Sequence, residues 1–177
     1  PYKGCANYDG FKNIYFEITV NAINLSSWTE PIGIHNSFKG NIDGQGCLIY
    51  NIAINQPNNP NVGGLFGCLS QGEIKNIKIE SGNVYGKEII GGICGAAFNE
   101  TFTNCTSNCT MNCNGKVDVG GIAGCDRGFS KFINCVNTGT ITAGQHSGGI
   151  LGRSQMGTVF DGCINKGVIN CNNNNVG

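Results

Sequence analysis

Val62-Gly63-Gly64-Leu65-Phe66-Gly67 returns as Ile90-Gly91-Gly92-Ile93-Cys94-Gly95, Val119-Gly120-Gly121-Ile122-Ala123-Gly124 and Ser147-Gly148-Gly149-Ile150-Leu151-Gly152. Counted on the first glycine, the copies stand 28, 29 and 28 residues apart, and Val176-Gly177 opens a fifth 29 residues on. A period this constant marks a repeat architecture, in which each copy is one supersecondary unit that buries its apolar side only against its neighbours. Two further motifs keep step. Ile74-Lys75-Asn76-Ile77 recurs as Phe102-Thr103-Asn104-Cys105, Phe132-Ile133-Asn134-Cys135 and Phe160-Asp161-Gly162-Cys163, followed by Gly82-Asn83-Val84, Gly139-Thr140-Ile141 and Gly167-Val168-Ile169.

Each repeat therefore carries three short runs with β-branched residues in alternation, separated by Gly and Asn, and no segment has a helical apolar period. Three strands in about 28 residues cannot close a core alone, whereas stacked coils pair every strand above and below. The predicted fold is an all-β, right-handed parallel β-helix (a β-solenoid) with three short strands per ~28-residue coil, the hand following from the preference of parallel crossovers. A propeller blade needs roughly 40–50 residues, and a leucine-rich repeat needs Leu spacing that is missing here.

Residues 1–60 read as irregular opening coils and 61–177 as regular coils of one continuous domain. Ile49-Tyr50-Asn51-Ile52-Ala53-Ile54 aligns with Ile74–Ile79 at a spacing of 25, and Phe16–Val20 alternates as a strand. Gln56-Pro57-Asn58-Asn59-Pro60 reads as a joining loop, because Pro removes ladder donors. Pro1-Tyr2-Lys3 has neither an initiator Met nor a signal-peptide core, so the chain is expected to be a segment of a longer one.

With 11 Lys+Arg against 11 Asp+Glu, only two of them Arg (Arg127 and Arg153), the chain lacks the basic field of a nucleic-acid binder. No apolar run approaches the ~20 residues of a membrane span. Eleven cysteines suggest a disulfide scaffold, but repeat phase argues for free thiols. Cys105, Cys135 and Cys163 share one column, continued below by Ile77 and Ile52, so thiol and aliphatic side chain exchange as core hydrophobes. Cys113 and Cys171, and likewise Cys68 and Cys125, are each separated by one intervening coil, about 9–10 Å, too far to bridge. Cys105, Cys109 and Cys113 lack the spacing and His partners of a zinc site, so neither metal nor cofactor is expected.

Catalysis by a carboxylate pair would need acids converging on one face. Glu80, Glu88, Glu100, Asp118 and Asp126 fall at different phases, Glu73 and Asp161 come nearest to a shared one, and Asp43-Gly44 reads as a turn. No catalytic residue is assigned. Thr138-Gly139-Thr140-Ile141-Thr142 suggests an ice-binding ladder on one coil, but its counterparts Ser81–Tyr85 and Lys166–Asn170 break it. Of the four sequons, Asn24 and Asn99 are the better glycosylation candidates, in expected loops. In the Gly-Gly strand Phe66, Cys94, Ala123 and Leu151 alternate with an inward Leu65/Ile93/Ile122/Ile150 column, which makes them a candidate partner-facing stripe.

Ile23-Asn24-Leu25-Ser26-Ser27-Trp28-Thr29-Glu30-Pro31-Ile32-Gly33, Phe38–Gly46 and Ile49-Tyr50-Asn51-Ile52, with the Gly-Gly-Leu/Ile-x-Gly repeats and following Asn-Cys, resemble the GLUG-repeat family over about residues 16–177. The resemblance implies a scaffold of large secreted or surface proteins, including adhesin-like proteins and non-catalytic regions of surface peptidases. Ala22-Ile23-Asn24 stands where many relatives have Asp-Ile-Asp, so the acidic residues of that stretch are missing here. The expected role is a non-catalytic extracellular or cell-surface adhesion or structural module, with protein or glycan partners bound through a solenoid face and self-assembly through open ends. A carbohydrate-active or lectin-like β-helix is the alternative.

Overall fold

A computed structural model describes residues 9–56, 62–113, 118–143 and 145–171. The proline-rich loop beyond Gln56 and the fifth motif at Val176-Gly177 lie outside these residues. Every strand pairing within them is parallel, and the chain winds as a β-solenoid through four stacked sheets. Sheet 1 stacks the strands that follow the glycine pairs: Phe66–Ser70, Cys94–Phe98, Ala123–Asp126 and Leu151–Ser154. Sheet 2 is six strands deep: Tyr15–Glu17, Asn41–Asp43, Glu73–Lys75, Thr101–Thr103, Lys131–Ile133 and Val159–Asp161. Sheet 3 includes the long strands Lys78–Gly86 and Thr106–Cys113, and its later coils split in two, as in Val136–Asn137 and Thr140–Ala143. Beyond the three strands expected, Ile90–Gly91, Asp118–Gly120 and His146–Gly148 form a small sheet 4 just before each corner.

The Gly-Gly pair is a steric requirement of the corner between sheets 4 and 1. A Cβ on Gly120 would strike the carbonyl of Ala123, and one on Gly148 would strike that of Leu151. The second glycine meets the opposite wall: a Cβ on Gly121 would run into Asn137, and one on Gly149 into Asn165. The corner from sheet 2 to sheet 3 uses a left-handed residue in every regular coil. Asn76, Asn104 and Asn134 have φ of 55°, 53° and 52°, and Gly162 has 60°. Asn is the non-glycine residue that accepts this conformation most readily. Its amide then extends the ladder, Asn134 donating to Asn104 at 3.4 Å, Asn104 to Asn76 at 3.3 Å and Asn76 to Asp43 at 2.8 Å.

Inside, the middle residues of the sheet 2 strands form one column, Phe16, Ile42, Ile74, Phe102, Phe132 and Phe160. Phe102 and Phe132 stack with centroids 4.8 Å apart at 6°, and Phe132 and Phe160 at 5.4 Å and 17°. Cys105 and Cys135 are buried beside them, with Cys163 partly buried. These thiols donate to carbonyls, as Cys105 Sγ does to Ile74 at 3.4 Å and Cys163 Sγ to Phe132 at 3.2 Å. The ten described cysteines form no disulfide with one another.

Register corrects two expectations. Leu48 pairs with Lys78, which sets buried Cys47 beneath Ile77, while Ile52 pairs with Gly82 in the next stretch of sheet 3. Ile52 is thus a core residue outside the cysteine column. Ile49 matches Ile79 at a spacing of 30 rather than 25, because the opening coil carries a longer connection. The stripe of Phe66, Cys94 and Ala123 is not a free surface: all three are buried in the main core together with Leu65, Ile93 and Ile122, and Leu151 is partly buried against it. The chain bends between the two columns, so strand alternation does not apply across them. The column that leaves the main core is Cys68, Ala96, Cys125 and Arg153, and Val62 and Ile89 cover part of it in a second small cluster.

Candidate functional site

Because the middle residue of each sheet 2 strand points inward, its two neighbours face out. One outer column runs Tyr15, Asn41, Glu73, Thr101, Lys131, Val159, and the other Glu17, Asp43, Lys75, Thr103, Ile133, Asp161. At the N-terminal end these columns enclose a shallow recess lined by Tyr15, Phe16, Glu17, Asn41, Ile42, Asp43, Glu73 and Lys75. Tyr15 is 76% exposed, so the recess offers an aromatic face beside three carboxylates.

Asn41 is fixed at the centre, its Oδ1 accepting from the Glu73 amide at 3.0 Å and its Nδ2 donating to the Ile14 carbonyl at 3.4 Å. Asp43 accepts from Asn76 Nδ2 at 2.8 Å, from the Gln45 amide at 2.9 Å and from Lys75 Nζ at 3.3 Å. The Asn76 amide above all holds its carboxyl below the usual range, burial opposing, with Gln45 and Lys75 adding to the effect. The Asp43-Gly44 turn is present, but the same carboxylate also anchors the Asn ladder. Glu17 and Glu73 take no side-chain hydrogen bond or ion pair from the described residues and remain available to a ligand. The recess can accept hydrogen bonds from hydroxyl or ammonium groups while a ring packs on Tyr15.

Glu73 belongs to the column of Val159, and Asp161 to that of Lys75, so those two acids do not share a phase. Glu73 instead meets Glu17 and Asp43. Tyr15 and Glu17 escape a reading based on period, because 26 residues separate Phe16 from Ile42 and 32 separate Ile42 from Ile74. The available signal is local, an apolar residue flanked by two outward side chains in each three-residue strand.

Two other carboxyl groups lie sealed in the corner between sheets 1 and 2. Asp126 accepts from the Gly128 amide at 2.9 Å, from Ser130 Oγ at 2.7 Å and amide at 3.1 Å, and from Thr158 Oγ1 at 2.6 Å. Glu100, 1% exposed, accepts from the Gly72 amide at 3.0 Å and leaves Oε1 without a partner among the described residues. Burial pushes its pKa up to about 8, against the Gly72 hydrogen bond. Both are wall residues of the solenoid. Among the described residues no group of three or more His, Cys, Asp or Glu is placed to hold a metal ion.

Asn24 and Asn99 are exposed, and no described residue accepts from their Nδ2 atoms, whereas Asn104 and Asn108 donate theirs to Asn76 and to the Glu80 carbonyl. Thr110 stacks on Thr140, but Asn83 and Val168 flank the pair, so the threonine ladder is two rungs long.

No family model and no curated protein matches the chain. A solved structure from Bacteroides ovatus, provisionally described as an immunoglobulin A1 protease, is similar over 92% of this chain and 72% of its own, with a TM-score of 0.53 and 19% identity. At that identity the likeness concerns the fold alone.

Proposed function

We propose that the chain is a non-catalytic module of an extracellular or cell-surface β-solenoid, of the GLUG-repeat kind, that binds a protein or glycan partner through an outer face. The observation that carries this reading is the disposition of the carboxyl groups. Asp126 and Glu100 are enclosed, Asp43 is committed to the Asn ladder, and the two free acids beside them sit on an open, six-strand face rather than in a cleft that excludes water. A rigid array with side chains repeating every strand spacing suits distributed binding.

The test exposes the labelled protein to arrayed glycans and extracellular-matrix proteins and analyses the ligands by mass spectrometry. Retention by a defined ligand class, with the ligand unchanged in length, is the expected result. Shortened glycans or cleaved protein, abolished by Glu73→Gln or Glu17→Gln, would replace this reading with a catalytic one.

A carbohydrate-directed role is favoured by the Tyr15 recess, where an exposed aromatic ring and unpaired carboxylates lie on one face. Tyr15→Ala should then reduce glycan retention severalfold, up to about tenfold, the scale of losing an aromatic packing contact.

A further inference from the structure

The only two arginines of the chain, Arg127 and Arg153, lie on neighbouring coils at sheet 1. Arg153 is the direct partner of Cys125 on the neighbouring strand, and Arg127 follows Cys125 by two residues, with its guanidinium carbon 6.0 Å from the centroid of Phe98. Alongside, Asp118 pairs with His146 in sheet 4. Asp118 is 2% exposed, and His146 Nδ1 donates to its Oδ1 at 2.7 Å, which fixes the ring with the other nitrogen free to face outward.

The nearest contact of Arg153 to that carboxylate is 3.8 Å, an electrostatic attraction longer than a hydrogen bond, so its donors are not consumed. No carboxylate of the described residues forms an ion pair with Arg127. Two guanidiniums thus lie on neighbouring coils beside an imidazole, with the Asp118 carboxylate buried under Arg153 and His146, and with Asp126 enclosed in hydrogen bonds to Gly128, Ser130 and Thr158. Guanidinium is the group suited to paired hydrogen bonds with planar or tetrahedral oxyanions. Beside it, Phe129 is 61% exposed and lies against Gly157 in the loop that follows Arg153, so an apolar ring flanks the cationic patch.

We propose that Arg127, Arg153 and His146 form an oxyanion site, and that with Phe129 it takes the carboxylate or sulfate of an acidic sugar. This rests on the reading of the chain as a binding module and gives it a ligand class. The acid group would sit between the guanidiniums, and the sugar ring's C–H face would pack on Phe129. A free inorganic anion shares the first contact but not the second.

Amide and arginine side-chain NMR signals of the whole protein, titrated with glucuronate, sulfate, glucose and polyglutamate, test the site. Glucuronate should give saturating shifts at residues 127–129, 146 and 153, glucose none, and sulfate shifts at the arginines without Phe129. Arg127→Gln with Arg153→Gln should weaken glucuronate at least tenfold, and Phe129→Ala should weaken glucuronate but not sulfate. If the double variant fails to fold, Arg153→Lys, which keeps the charge, should still weaken binding severalfold. Non-saturating shifts spread over the lysines, unchanged binding by a folded variant, or polyglutamate binding as tightly as glucuronate would overturn the proposal. Such a failure, with the glycan and matrix array still positive, would move the binding face elsewhere and leave the module reading intact.

Discussion

The coil that carries Phe132 and the coil that carries Phe160 have the same motif and the same register, yet one phenylalanine is 0% and the other 50% exposed. Cys135 and Cys163 differ in the same way, buried in the first coil and half-buried in the second. The local differences, Ile133 against Asp161 and Asn134 against Gly162, lie outside the two inward rows. A solenoid residue is buried by the coils above and below it, so equivalent positions are core where described coils pack on both sides and exposed where a described coil packs on one side only.

The sharpest way to break that comparison is to truncate both rings. Phe132→Ala should cost about 3–5 kcal/mol and Phe160→Ala about half as much, measured by urea unfolding. Equal losses would mean that the last coil is covered in solution.

Glu100 extends the comparison to a polar column. It is sealed in a middle coil, whereas Thr158, at the equivalent place in the last, is only partly buried. Its folded pKa of about 8 exceeds the ordinary 4.5, so the folded state binds the extra proton between those values. Its contribution to stability should therefore be fully present below about pH 4.5 and be lost as pH rises through about 8, by no more than roughly 5 kcal/mol. Glu100→Gln should flatten this dependence in unfolding measured at pH 5 and pH 9. Asp43, held low, acts with the opposite sign, and its contribution is lost only as pH falls through the acid range.

A smaller effect is expected at the corner. Asn134→Ala forfeits both the left-handed preference and the ladder bond to Asn104 and should cost about 1–2 kcal/mol, whereas Asn134→Gly, resembling the natural Gly162, should cost less. The smallest effect is kinetic: a thiol reagent should modify Cys163 before Cys105 or Cys135, with burial raising the Cys105 pKa and slowing its reaction further. Mass mapping of the first adduct decides it.

Within residues 73–171 the repeat phase was enough to place the strands of sheet 2, the Asn corner after them and the Cys105, Cys135 and Cys163 column, because every coil there returns after nearly the same number of residues. In the opening coils the connections differ in length, and a phase carried backward placed Ile52 where Cys47 lies. The same variation hid Tyr15 and Glu17 beside Glu73. The Gly-Gly corner failed for another reason. Leu65 and Phe66 are adjacent in a chain that bends, and both reach one core. Arg127, Arg153, Asp118 and His146 have no shared motif, and only the stacking of two successive coils assembles them.

What the order of residues determined alone was the repeat: small residues where a corner admits no side chain, asparagine where the backbone turns left-handed, and apolar residues at the phase of the interior. What only the tertiary structure decided was which copies are covered, how the unequal opening coils align, and which outward side chains become neighbours. The first follows from local sterics, which each repeat carries within itself. The second depends on contacts between residues a full coil apart, which no single repeat contains.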